Sequence, residues 1–120
     1  MNKLLVTFTA VAALCIGAAQ ARDLDLLEGA YEASLGEVVM PRSIAGTTAV
    51  RPCSSCPTVG LPVNGSTVFQ VSGQSLALAD FLLAVDDIHD REGGSSALVA
   101  VYYAIDTNTV TRINVLPPGR

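Results

Sequence analysis

Apolar and polar positions alternate along most of this chain, and the period of that alternation is broken by one helical stretch. Tyr31, Ala33 and Leu35 interleave with Glu32 and Ser34, and Val38-Val39-Met40 then runs apolar up to Pro41. A period of two marks a strand, and Gly36 in its middle predicts a bend. Arg42 to Gly46 is a turn-rich connection, after which the β-branched run Thr47 to Arg51 is short enough for a second strand. Val59, Leu61 and Val63 alternate with Gly60, Pro62 and Asn64. Pro62 confines that strand to an edge, because it has no N–H to give a ladder. Asn64-Gly65 signals a hairpin turn through its tolerance of positive φ, and Thr67 to Val71 reads as the strand that follows. Asn64-Gly65-Ser66 is also formally a glycosylation sequon, for which the turn is a sufficient account.

Ser72-Gly73-Gln74 turns the chain again, and the period becomes helical. Leu78, Phe81, Leu82, Val85 and Ile88 predict one amphipathic helix from about Leu78 to about His89, ended by Gly93-Gly94. Ala97 to Ile105 is apolar on both alternating sets, as expected of a strand buried on most of its surface. Asp106-Thr107-Asn108 turns it into Thr109 to Leu116, and Pro117-Pro118 stops this closing hairpin. The prediction is a mainly β fold: a small OB-like barrel or half-barrel of five to six strands with one amphipathic helix before the final hairpin. A barrel removes edges that so small an open sheet would leave exposed. The other arrangement is an open antiparallel sheet with the helix across one face.

The segment Thr67-Val68-Phe69-Gln70-Val71-Ser72-Gly73 through Leu78-Ala79-Asp80-Phe81 resembles small exported bacterial domains of unknown function. So does the final hairpin, Ala100-Val101-Tyr102-Tyr103 to Thr109-Val110-Thr111-Arg112-Ile113, and Arg51-Pro52-Cys53 to Cys56 is similar to one proteobacterial branch of them. The resemblance covers about the last sixty residues. It implies an OB-like exported module and carries no functional residues with it.

Export is also legible at the other end of the chain. Lys3 followed by the apolar run Leu4 to Ala19 and by Ala19-Gln20-Ala21 reads as a secretory signal over residues 1–21, with cleavage before Arg22. No transmembrane span is expected once it is removed, and Cys15 leaves with it. Residues 22–30 read as a mobile lead-in and residues 31–117 as a single small β domain. From Arg22 onward the chain has six arginines and no lysine against eleven acidic residues, a formal charge of −5. That balance disfavours a nucleic-acid partner, whose phosphates need a basic stripe. Localisation is expected to be exported, periplasmic rather than extracellular.

Four groups of residues are candidates for chemistry. Cys53 and Cys56, fenced by Pro52 and Pro57, suit a disulfide at a β-turn between extended segments, worth about 2 kcal/mol as a local staple. A redox role would need a helix N-terminus at the first cysteine, which Pro57 to Pro62 does not offer, although Arg51 could lower a thiol pKa. A zinc site lacks ligands, since the mature chain has two cysteines and one histidine, His89. Asp86, Asp87, His89 and Asp90, with Glu92, form an acidic cluster that could hold a hard cation or simply a solvated surface. Among the aromatics Tyr31, Phe69, Tyr102 and Tyr103, the candidate ligand face is Tyr102, Tyr103 and Phe69, with core packing as the plainer account.

Together these features lead to the expectation of an exported non-catalytic module, a binding or structural accessory without cofactor, whose partner is a protein or a neutral ligand. The alternative is a small thiol–disulfide or metal-handling protein using Cys53 and Cys56.

Overall fold

The computed structural model describes residues 27–118. The secretory signal, and most of the lead-in expected over residues 22–30, lie outside the described residues. Eight strands and one helix follow in the order β1 (Glu28–Ser34), β2 (Val38–Val39), β3 (Thr47–Val50), β4 (Val59–Pro62), β5 (Val68–Val71), β6 (Gln74–Leu76), α1 (Leu78–Asp90), β7 (Leu98–Ala104) and β8 (Val110–Leu116). Strand pairing begins at Glu28, ahead of Tyr31.

The strands form two sheets, ordered β1-β7-β8-β5-β6 and β2-β3-β4. All neighbours are antiparallel except β5 and β8, which run parallel with Phe69 opposite Ile113. The fold is therefore mainly β with its helix ahead of the final hairpin. The two sheets share a core as a half-barrel does, but no ladder joins them into a closed barrel among the described residues.

Three local features separate the structure from a reading of five or six strands, and two of them add a strand. At Gly36 the expected bend is a 3-10 turn over Leu35–Glu37, and there the chain leaves the larger sheet for the smaller. Leu35 fixes the exit by donating its N–H to the Ala97 carbonyl at 2.8 Å.

Asn64-Gly65 does not make a hairpin: β4 and β5 belong to different sheets, and neither residue has positive φ. Instead the Asn64 side chain accepts the Ser66 N–H at 2.8 Å, so asparagine acts here through its side-chain oxygen rather than its backbone freedom. The buried Thr67 hydroxyl completes the return by accepting the Asn64 N–H at 3.0 Å and donating to the Val110 carbonyl at 2.7 Å.

The true two-residue hairpin is at Ser72-Gly73, with φ of 52° and 79° and Val71 paired with Gln74. Positive φ at both loop residues matches the right-handed twist of the flanking strands. The chain turns back there into β6, a three-residue strand too polar to show in the sequence.

One contiguous core lies between the sheets and the helix. Val99, Val101, Ile113 and Val115 of the β7–β8 hairpin are fully buried, and α1 covers them with Phe81, Val85 and Ile88. The rings of Phe69 and Phe81 meet at 5.2 Å, tilted by 41°. Each such side chain contributes roughly 1.5–3 kcal/mol by leaving water. The N-cap of α1 is Ala77, which makes no side-chain cap bond, so packing rather than capping holds the helix. The smaller sheet adds Val50 and Leu61, and its buried Thr48 hydroxyl is satisfied by the Val39 carbonyl at 2.8 Å.

Candidate functional site

Cys53 and Cys56 sit in the connection between β3 and β4, at the outer tip of the smaller sheet. They are disulfide-bonded, with Cα atoms 5.0 Å apart, and the Cys56 N–H donates to the Cys53 carbonyl at 3.1 Å, closing the expected β-turn. The polar side chain at the sulfur is Ser55, whose hydroxyl lies 3.6 Å from Cys53 Sγ. Arg51 is turned elsewhere. Its Nε donates to Glu37 Oε2 at 2.6 Å, and its backbone N–H donates to the Glu37 carbonyl at 3.0 Å. Hydrogen bonding to Arg51 holds the Glu37 carboxyl below its usual range and raises the arginine in return. The cation that could have activated a thiol is neutralised by a carboxylate from the 3-10 turn before β2.

The aromatic residues divide between the two faces of the larger sheet. Phe69 is 4% exposed and packs on Phe81, so it is not part of a ligand face. Tyr103 stacks on Tyr31 at 5.0 Å and 19°, and both rings pack against the rim of the core. Gly29 permits this stacking, because a Cβ there would stand 2.6 Å from the Tyr103 ring. Tyr102 points the other way.

On that outer face the Arg112 guanidinium lies over the Tyr102 ring, 4.1 Å from its centroid, the two residues being cross-strand partners. The half-exposed Val68 stands opposite Arg112, and the directly opposed, half-exposed pair Leu98 and Leu116 lies four positions along the same strands. Arg112 Nε is buried without a hydrogen-bond partner. The three residues expected to share a face therefore do not: Phe69 and Tyr103 pack toward the core, and Tyr102 lies on the outer face beside Arg112. Counting back from the hairpin turn could have found that arginine, except that a bulge between Tyr102 and Tyr103 shifts the register.

The acidic cluster is likewise dispersed. Asp86, Asp87, His89 and Asp90 are spread around α1 by its 3.6-residue period. Asp87 is paired with Arg91 one turn on, at 2.7 Å, and Asp90 ends the helix exposed. Among the described residues no three His, Cys, Asp or Glu side chains converge to hold a metal.

Asp86 and His89 instead line a cleft of about 230 Å³. It opens between α1, which presents Leu82 and Val85, and the segment Leu35 to Met40 with Arg42. No helix among the described residues is long and apolar enough to cross a membrane. No protein-family model, curated protein or solved structure matches this chain.

Proposed function

We propose that this chain is an exported, non-catalytic β module of the bacterial envelope, periplasmic rather than extracellular, acting as a binding or structural accessory. Cys53–Cys56 is its staple, and a protein or neutral ligand meets the outer face of the larger sheet around Tyr102. The observation that carries this reading is the setting of the disulfide. It lies at a strand-to-strand turn, followed by β4 instead of a helix, and Arg51 beside it is held by Glu37. A working thiol needs a helix dipole or a free cation to hold its thiolate. The stack of Arg112 on Tyr102 adds support, since it sets a flat, weakly hydrated platform among exposed aliphatic side chains.

The test is the reduction potential of the Cys53–Cys56 pair in the purified chain, read by mass spectrometry after equilibration in thiol redox buffers. The expected value is below about −300 mV, the range of structural disulfides. A value in the oxidoreductase range, about −120 to −270 mV, would make the cysteines the working site and overturn the proposal.

A further inference from the structure

The cleft between α1 and the Leu35–Met40 segment is separate from both the disulfide and the outer sheet face, and its lining is chemically specific. Its floor is apolar: Leu35 and Val85 are buried, and Val38, Met40 and Leu82 are half-buried. Arg42 enters from the β2–β3 connection, while Asp86 and His89 enter from one stripe of α1. Arg51 pairs with Glu37 and Arg91 with Asp87, yet Arg42 and Asp86 form no ion pair with each other or with any described residue.

We propose that this cleft binds a small apolar zwitterion, a free α-amino acid with an aliphatic or thioether side chain. The ligand carboxylate meets Arg42, its ammonium group meets Asp86, and its side chain lies on Leu35, Val38 and Leu82. Charge complementarity selects this class. A simple anion would face Asp86 and a simple cation would face Arg42, and each would carry a like-charge penalty that a zwitterion avoids.

Size agrees, because about 230 Å³ is below the range of drug-sized pockets. An extended peptide added to β2 is disfavoured by the backbone. The Val38 N–H is already taken by the Leu35 carbonyl, and Pro41 has no N–H, so this edge offers few donors to an incoming strand.

The inference rests on the chain being a binding module but not on the state of its disulfide. The experiment is a titration of the oxidised full-length mature chain with L-leucine, followed by amide chemical shifts. N-acetyl-leucine and leucinamide, which each lack one charge, serve as controls. Leucine is expected to give saturable shifts at Val38, Val39, Leu82 and His89, with each control binding about tenfold or more weakly, the loss for one charge-assisted hydrogen bond.

Arg42→Ala and Asp86→Ala are both at exposed positions, so the fold survives them, and each should weaken leucine by a similar factor. Asp86→Ala should in addition bring N-acetyl-leucine level with leucine. The absence of saturable shifts, equal binding of all three compounds, or shifts that track protein concentration through self-association would each overturn the inference. If leucine fails while the disulfide potential lies below about −300 mV, only this inference falls and the binding module stands.

Discussion

In the larger sheet, β7 and β8 each run for seven residues and place Val99, Val101, Ile113 and Val115 in a fully dry layer. In the smaller sheet no strand exceeds four residues, β2 has two, and Pro62 stands on its outer strand. The smaller sheet has covalent and ionic supports in place of length: a disulfide in the β3–β4 connection and the Arg51–Glu37 pair just beyond the end of the β2–β3 ladder. The contrast shows two ways of ordering a β layer. The larger sheet is ordered by burial around its two long central strands, against which even the short β5 and β6 are held, whereas the smaller sheet has no long strand and carries cross-links as well.

Removing a part from each region tests that contrast. The largest effect is expected from Phe81→Ala, which empties the centre of the shared core. It should lower stability by about 3–5 kcal/mol in a denaturant titration, with both sheets lost in one transition. Separate transitions for the two sheets would show that the core is not shared.

Gly29→Val tests the rim of the larger sheet. The new side chain collides with the Tyr103 ring, and the expected loss is about 1–3 kcal/mol together with a changed tyrosine near-ultraviolet signal.

The double change Cys53→Ser, Cys56→Ser should cost no more than about 2 kcal/mol. Its signature is local: faster amide exchange at Val50 and Leu61 while Val101 and Ile113 keep their protection. Uniform loss across both sheets would erase the proposed division.

The smallest effect is a pH dependence. Because the folded Glu37 carboxyl lies below its unfolded value, near 4.3, its contribution is complete above that pH and is lost as pH falls through the folded value. Both partners of the pair are substantially exposed, so the change is slight. Protection of the Arg51 amide should decline with acid in the native chain and stay flat in Glu37→Gln.

Legibility in the sequence followed the same division. The helix and the closing hairpin were visible because their apolar residues repeat over a dozen positions, and burial imposes that periodicity. The smaller sheet was visible as strands, but its separation from the larger one was not. Gly36 and Asn64-Gly65 mark turns of the chain, and a turn signal does not say which ladder the next strand joins.

The disulfide turn was fixed by local geometry, since four residues with two cysteines between prolines have few ways to close. Arg112 and the cleft were invisible for the opposite reason. Each depends on a pairing that periodicity does not carry: Tyr102 with Arg112 across a bulged hairpin, and Arg42 of the β2–β3 connection with Asp86 of α1 along one cleft. Phe69 was misassigned because an aromatic residue in a strand looks alike whichever face it takes, and register alone decides.

The order β1-β7-β8-β5-β6 has one consequence for the birth of the molecule. β8 is the last strand of the described chain, yet it stands in the middle of the larger sheet and bridges β7 to β5. Until Leu116 has been synthesised, β5 and β6 have no ladder to the rest of that sheet. β1 likewise has no ladder until β7 is made. The larger sheet is therefore assembled only when nearly all of its strands have been synthesised, while β2 to β4 and the β5–β6 hairpin can pair locally before that. During synthesis the larger sheet is thus completed by its last strand rather than by its first.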